Sequence, residues 1–315
     1  MTDVTIVLVT HDSAADLPVS LASARAQRGI EAETIVVDTA SQDGSAELAR
    51  RLAPDARVIA LGENAGFSAA MNAGIAAAHG RYVLALNPDC RLEPDFASVL
   101  AARLDVRPDV GSASGRIFRA EGPVLAPTDR LDSTGIVFRA SGRHFDRGSE
   151  EEAAGRYLGE EEVGGTTGAA GFYRREALES ARISTGYFDS DFFLYREDAD
   201  LAWRLRRLGW KCLYVPGAVA FHRRRNLPSR RREMTELANY HSVKNRFLLR
   251  VNNQSAGEFL ATLVPTLARD LLVVAACLTV ERSSLPAFAW LWKNRRRLWA
   301  KRREIAARVR TRRNG

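Results

Sequence analysis

The sequence predicts an α/β fold: a mostly parallel, Rossmann-like sheet with helices on both faces, then a helical C-terminal extension. Three observations predict it. Apolar runs of strand length recur through the first 86 residues, helix-period segments separate them, and strand pattern is lost beyond Asn226. Continuous rather than alternating apolar runs are what a strand buried on both faces requires.

In order, residues 4–10 (Val-Thr-Ile-Val-Leu-Val-Thr) read as a buried strand and 13–26 as a helix. A strand at 33–38 is followed by a helix opened by Ser41-Gln-Asp-Gly-Ser45. Next come a strand at 57–61, an Ala-rich helix at 67–79 stopped by Gly80, and a strand at 82–86. Between 106 and 164 the texture loosens to strand-like pieces at 115–119 and 135–139 among Gly, Pro and charged residues, read as a substrate-side subdomain. Its acidic runs, Glu150–Glu152 and Glu160–Glu162, read as exposed loop. Order returns with a strand at 166–173, a helix at 174–181 and a helix begun by Glu197-Asp198, in which Leu201, Leu205 and Leu208 share a face. A strand at 211–215 then meets the turn signal Pro216-Gly217. No internal repeat is visible.

A chain of 315 residues forms one or two domains with a sizeable core. The net charge of +8 is unevenly placed. Residues 293–315 hold eleven Lys/Arg against one Glu, a surplus of ten, so the first 292 residues carry −2. The basicity therefore belongs to a tail suited to an anionic membrane surface, and a nucleic-acid-binding body is disfavoured. Cys90, Cys212 and Cys277 are odd in number and lack metal-type spacing, so no disulfide framework or zinc site is expected. The N-terminus has no basic region before its apolar run, which argues against a signal peptide and for a cytoplasmic protein, peripheral on the inner face of the plasma membrane. The apolar stretch 259–280 is interrupted by Pro265, Arg269 and Asp270, so it is expected to lie at an interface or pack on the core rather than span a bilayer.

The chemistry gathers at strand ends. Asp38 closes the second strand, where a carboxylate either accepts hydrogen bonds from a base or ribose or caps the turn. Asn64-Ala-Gly66 precedes the Ala-rich helix, and its small residues allow a diphosphate close approach to a helix N-terminus; Asn64 and Asn72 serve the nucleotide or cap and pack. Asp89 emerges past the strand ended by Asn87-Pro88 and is the candidate contact for Mg²⁺ or Mn²⁺, which needs few protein ligands when a diphosphate fills its shell. Asp198 is the candidate general base, with Glu197 beside it; neighbouring charges raise its proton affinity and a helix N-terminus lowers it, so the net sign is open. Asp200 pairs with Arg204 four residues on. His222 offers an imidazole to metal or diphosphate, and Arg223–Arg225 and Arg230–Arg232 form a basic rim.

Taken in this order, the motifs resemble the inverting glycosyltransferases of family 2, with the GT-A fold, over residues 4–225. The residues that carry the resemblance are 36–45, Asn64-Ala-Gly-Phe67, Asn72, Leu86-Asn-Pro-Asp89, Gly168-Ala-Ala-Gly171, Phe193-Leu-Tyr-Arg-Glu-Asp-Ala-Asp-Leu201 and His222. The Asn-Pro-Asp and Glu-Asp-Ala-Asp-Leu wording is most similar to rhamnosyltransferase-type members that build bacterial cell-surface polysaccharide. The resemblance implies a nucleotide-binding half at 1–105 and an acceptor and catalytic half at 106–225, with 226–315 as the basic, membrane-associating extension. It implies donor contacts from Thr10, Asp38, Asn64, Gly66, Asn72, Asn87 and Gly168, catalysis by Asp198 with Glu197, and metal contacts from Asp89 and His222. The donor is then a dTDP-, UDP- or GDP-linked sugar and the acceptor a glycan or lipid-linked hydroxyl. Asn87 stands where the family has the first acid of Asp-x-Asp, and no Gln-x-x-Arg-Trp segment is present, which argues against a processive synthase. The rivals are an oxidoreductase or pyrophosphorylase, disfavoured because no Gly-x-Gly-x-x-Gly follows the first strand, and a nucleotide-sugar-binding or membrane or nucleic-acid adaptor without transfer activity.

Overall fold

Seven consecutive buried residues make β1 (Val4–Thr10) the centre of the parallel half of the main sheet. The computed structural model describes residues 2–139, 141–224 and 235–314. The chain then runs through α1 (Leu17–Arg25), β2 (Ala32–Thr39), α2 (Ser45–Leu52), β3 (Arg57–Leu61), α3 (Gly66–Ala77) and β4 (Tyr82–Leu86). β1 lies between β2 and β4, β3 flanks β2, and all these pairs are parallel, as the unbroken apolar runs predict. Two helix ends differ from the sequence reading. α1 begins at Leu17 rather than residue 13 because Ser13 to Asp16 form a turn closed on Ser13 O. α3 stops at Ala77 because the His79 and Gly80 amides leave the helix to donate to Thr5 Oγ1.

The second half adds β5 (Cys90–Leu92), α4 (Phe96–Asp105), β6 (Val110–Glu121), β7 (Ala126–Ser133), β8 (Ile136–Phe138), β9 (His144–Asp146) and β10 (Glu161–Val163). It continues with β11 (Ala170–Arg174), α5 (Arg175–Ala181), α6 (Glu197–Arg207) and β12 (Lys211–His222). The sheet order is β10-β12-β6-β11-β4-β1-β2-β3, with β5 beside β12 and β7 beside β6, while β8 and β9 form a separate hairpin. The expected loose subdomain is thus corrected: β6 is a twelve-residue, largely buried strand between β11 and β12. Its opening Val-Gly-Ser-Ala-Ser-Gly conceals the strand from a hydropathy reading, and packing explains the small residues. A Cβ on Gly115 would lie 2.5 Å from the Phe96 ring, and one on Gly111 2.9 Å from the Trp210 indole. The turn expected at Pro216-Gly217 is also corrected. β12 passes through it with a bulge between Val215 and Val219, and so carries His222 to the far end of the sheet.

After residue 235 the chain is helical: α7 (Glu236–Asn253), α8 (Ala256–Ala261), α9 (Leu263–Thr279) and α10 (Pro286–Asn314). The basic tail is not a detached extension. Leu298, Lys301, Ile305 and Val309 of α10 are buried, with Leu298 packed beside Leu248 and Leu249 of α7. All three cysteines are buried and free.

Candidate active site

The carboxyl ends of β1, β2 and β4 share one edge with the start of antiparallel β11, since Thr10 pairs with Asp38 and Leu86 with Ala170. This is where open α/β sheets bind ligands. Thr10 and Asp38 are both buried there, and each keeps a side-chain oxygen without a protein partner: Thr10 Oγ1 and Asp38 Oδ1. Asp38 Oδ2 accepts from the Ser41 amide at 3.1 Å, so one oxygen holds the turn and the other remains for a ligand. Asn64 organises the following loop by accepting from the Gly66 amide at 3.1 Å and by lying 2.9 Å from His11 Nε2. Thr39 Oγ1 accepts from the Ala65 amide at 2.9 Å.

β12 lies between β5 and β6, and β7 lies on the other side of β6. His222 pairs in register with both Cys90 and Arg119, so Asp89, His222, Arg119 and Asp132 meet. His222 Nε2 is 3.3 Å from Asp89 Oδ1, and Nδ1 is 2.8 Å from Asp132 Oδ2. Asp132 is fully buried and also faces Arg119 Nε at 3.0 Å and Arg224 Nε at 3.2 Å. Burial opposes a charge on His222, but the carboxylates of Asp132 and Asp89 outweigh it and lift the imidazole to about 9. A buried carboxylate on the second nitrogen is the usual support of a metal-binding histidine. Asp89 and His222 therefore fit a divalent cation whose remaining shell comes from diphosphate and water. Among the described residues no group of three or more His, Cys, Asp or Glu could hold a metal ion.

Asp198 is held at the entrance to β11. Its Oδ2 accepts from the Gly168 amide at 3.0 Å, and the adjoining Ala169 carbonyl accepts from the Asn87 amide at 2.9 Å. The base candidate and the Asn87-Pro88-Asp89 turn are thus fastened to neighbouring residues of one strand entrance. Burial and the nearby Asp146 carboxylate push the half-buried Asp198 up to about 6, against the pull of the Ala199 and Gly168 amides and Arg224. Arg224 bridges two carboxylates, with Nη1 2.6 Å from Asp146 Oδ2 and Nε on Asp132. Glu197 is buried, and burial plus the Asp198 charge push it up to about 8, so near neutral pH it is a protonated acid beside one ionised base.

The segment carrying these acids is strained. Phe193, Tyr195 and Arg196 have φ of 62°, 64° and 71°, conformations that cost non-glycine residues about 1–3 kcal/mol each. One side chain from α7 holds them: Asn245 Nδ2 donates to the carbonyls of Phe192, Leu194 and Tyr195 at 2.8, 2.7 and 2.8 Å. Lys301 of α10 adds contacts to Asp189 at 2.5 Å and Asp191 at 2.6 Å. Asp200 pairs with Arg204 at 2.8 Å, as expected, and receives Asn253 at 2.7 Å.

Three expected donor contacts have other duties. Both amide atoms of Asn72 are engaged with the Phe188 backbone, at 2.7 and 2.9 Å. Gly66 has φ of 78°, and a Cβ there would lie 2.4 Å from the Phe193 ring, so its smallness serves contact between the two loops. Gly168 spends its amide on Asp198. Asn87 lies at the sheet edge as expected, held through its backbone. Of the basic rim, Arg223 and Arg224 are ion-paired rather than solvated, Arg223 with Asp16; Arg225 and Arg230–Arg232 fall outside the described residues. Sequence reasoning missed Asp132, Asp146 and Asn245, and read Arg224 only as part of a basic rim. The one local signal is that Asp132, like Asp89, is an acid at a strand end.

The family model for Glycosyl transferase family 2 matches residues 5–182, a span that ends before Glu197. The N-acetylglucosaminyl-diphospho-decaprenol L-rhamnosyltransferase of Mycobacterium tuberculosis (strain ATCC 25618 / H37Rv) is 28% identical over 239 residues, covering 70% of this chain and 76% of that protein. Among solved structures, GalNAc-T7 with UDP, GalNAc and Mn²⁺ superposes with a TM-score of 0.61 at 14% identity. That match covers 79% of this chain, which spans about half, 48%, of GalNAc-T7. The mannosyltransferase PcManGT from Pyrobaculum calidifontis, in complex with GDP-Man and Mn²⁺, gives 0.53 at 19% identity over 97% of this chain and 85% of its own. At these identities the structural matches establish the fold alone.

Proposed function

The chain belongs to glycosyl transferase family 2 and is a glycosyltransferase of GT-A fold, and from that premise we propose that it transfers one sugar, with inversion, from a nucleotide-diphosphate donor to an acceptor hydroxyl. We propose a non-processive hexosyltransferase, specifically a rhamnosyltransferase of bacterial cell-surface polysaccharide synthesis, working on a lipid-linked acceptor at the cytoplasmic face of the membrane. The observation that supports the chemistry is that Asp198 accepts from the Gly168 amide while the adjoining Ala169 carbonyl accepts from the amide of Asn87, two residues before Asp89. The 28% identical mycobacterial relative supports the sugar and the acceptor class.

In this reading Thr10 and Asp38 receive the nucleoside through their unpartnered oxygens. Asp198 takes the acceptor hydroxyl proton as that oxygen bonds to the anomeric carbon and the carbon–diphosphate bond breaks. A single displacement inverts the configuration, and the nucleoside diphosphate departs. A Mg²⁺ or Mn²⁺ held by Asp89 and His222 would neutralise the leaving diphosphate. Arg224 and Asp146 set the field around the base.

The test incubates the protein with dTDP-, UDP- and GDP-linked sugars and an N-acetylglucosaminyl-diphosphate lipid analogue, with Mn²⁺ or chelator. Rhamnosyl transfer from the dTDP donor with an inverted anomeric centre is expected. Transfer with retained configuration, or from another sugar alone, overturns the respective part of the reading.

A further inference from the structure

α8 and α9 present a concentration of exposed large apolar side chains. Leu260, Val264, Leu271, Leu272, Leu278 and Val280 are between 56 and 81% exposed. Within α9, positions 264, 267, 271, 275 and 278 recur at steps of three and four, which places them on one helical stripe, and Leu260 is exposed near the end of α8 before it. The opposite side is anchored, with Cys277 and Val273 packed on Val243 and Phe247 of α7. The two charges of α9 lie off the stripe: Asp270 meets Arg250 at 2.5 Å, and Arg269 Nε is buried. Contiguous apolar patches beyond a few hundred Å² are rare on soluble monomers and mark an interface.

The adjoining α10 has a different outer face. Trp292, Arg295, Arg296, Trp299 and Arg303 are all exposed and share helical spacing, and Arg295 covers the Trp292 ring at 4.2 Å. Tryptophan with arginine is the composition of a membrane–water boundary. Trp290 does not belong to this face, since Lys244 Nζ sits 4.8 Å above its ring on the body side. No single helix among the described residues is long and apolar enough to cross a membrane.

We propose that the exposed stripe of α8 and α9 embeds in the plane of an anionic lipid bilayer, with the Trp and Arg face of α10 at headgroup level. A bilayer fits better than a second copy of this chain, because a two-fold pairing of the patch would bring its uniformly basic flank against itself, whereas anionic headgroups complement it. The docking helix is also connected to the surroundings of the proposed base. Arg250, which holds Asp270 of α9, touches the turn of the β8–β9 hairpin, where a Cβ on Gly142 would lie 2.7 Å from its Cδ. That hairpin carries Asp146, the carboxylate nearest in effect to Asp198. The inference deepens the proposed action on a lipid-linked acceptor, but its test reads lipid binding rather than transfer, so either can fail alone.

The test uses the full chain with phosphatidylcholine vesicles containing about one-third phosphatidylglycerol, compared with pure phosphatidylcholine. L271E/L272E alters two solvent-facing side chains and should lower vesicle partitioning by about tenfold or more, with unchanged nucleotide affinity and thermal midpoint. R295E/R296E should remove the preference for the anionic vesicles, and brominated lipid should quench tryptophan fluorescence in the wild type. Wild-type partitioning by L271E/L272E overturns the proposal. So does a wild-type dimer in buffer that L271E/L272E converts to monomer without loss of vesicle binding, which would assign the stripe to a second copy.

Discussion

Gly168 donates its amide to Asp198 Oδ2 at 3.0 Å, a bond that reaches across thirty residues to orient the carboxylate proposed as the base. In the proposed mechanism the glycine orients the base. Replacing Asp198 with Asn keeps the shape and removes the proton acceptor. Transfer should fall by about 10²–10⁴-fold while nucleoside diphosphate affinity by calorimetry stays within twofold or so of wild type. Wild-type turnover would remove Asp198 from the mechanism.

The pH dependence follows from the same group. Asp198 must be ionised to act, and its carboxyl is raised to about 6, so kcat/KM should rise with pH through that value and fall about tenfold per pH unit below it. An unperturbed carboxylate would place that limb near pH 4. A profile flat from pH 7 down to 5 would contradict the burial-driven shift.

Asp132 should tune the metal site without touching the cation. Asp132→Asn removes the charge that fixes His222 Nδ1, and Mn²⁺ affinity, read by paramagnetic resonance in the presence of nucleoside diphosphate, should weaken about 10–100-fold. Unchanged Mn²⁺ affinity would mean that His222 is not a ligand.

Asn245 is the lock of the catalytic loop. Asn245→Ala removes the side-chain donor shared by three carbonyls, of which that of Phe192 still accepts from the Leu194 amide, and should cost about 1–3 kcal/mol in denaturant unfolding. A larger proportional loss in kcat than in nucleotide binding is expected, because the strained residues Phe193, Tyr195 and Arg196 lead directly into Glu197 and Asp198.

Gly66→Ala tests the contact between the loops. A φ of 78° and a Phe193 ring 2.4 Å from the new methyl both oppose alanine, so stability should drop by about 1–3 kcal/mol. The Gly66→Ala and Phe193→Ala double variant should recover part of that loss, since the ring clash disappears while the backbone strain stays.

Periodicity found the parallel half of the sheet because β1, β4 and most of β2 are buried on both faces and need only local residues to declare them; residues 57–61 and 82–86 match β3, a partly exposed edge strand, and β4 in full. It failed at β6, where Gly111 and Gly115 yield space to Trp210 and Phe96. Small side chains carry no hydropathy signal, and only the neighbours explain them. Pro216-Gly217 reads as a turn for the same reason: a bulge and a turn share composition and differ in what lies alongside.

Asp89 and Asp198 were legible as candidates because each is an acid at the end of an element, a position decided within a few residues by turn and helix-start chemistry. The company they keep was not. Asp132, Asp146 and Arg224 converge only because β7, β6 and β12 lie side by side, with the β8–β9 hairpin reaching Arg224 through Asp146. The fate of the basic C-terminus was equally undecided by composition, since the same helix buries Lys301 against Asp189 on one face and exposes Trp292 and Arg295 on the other. Local order follows from backbone preference and side-chain spacing along the chain. Which charges meet follows from strand pairing across it, and that pairing exists only in the folded molecule.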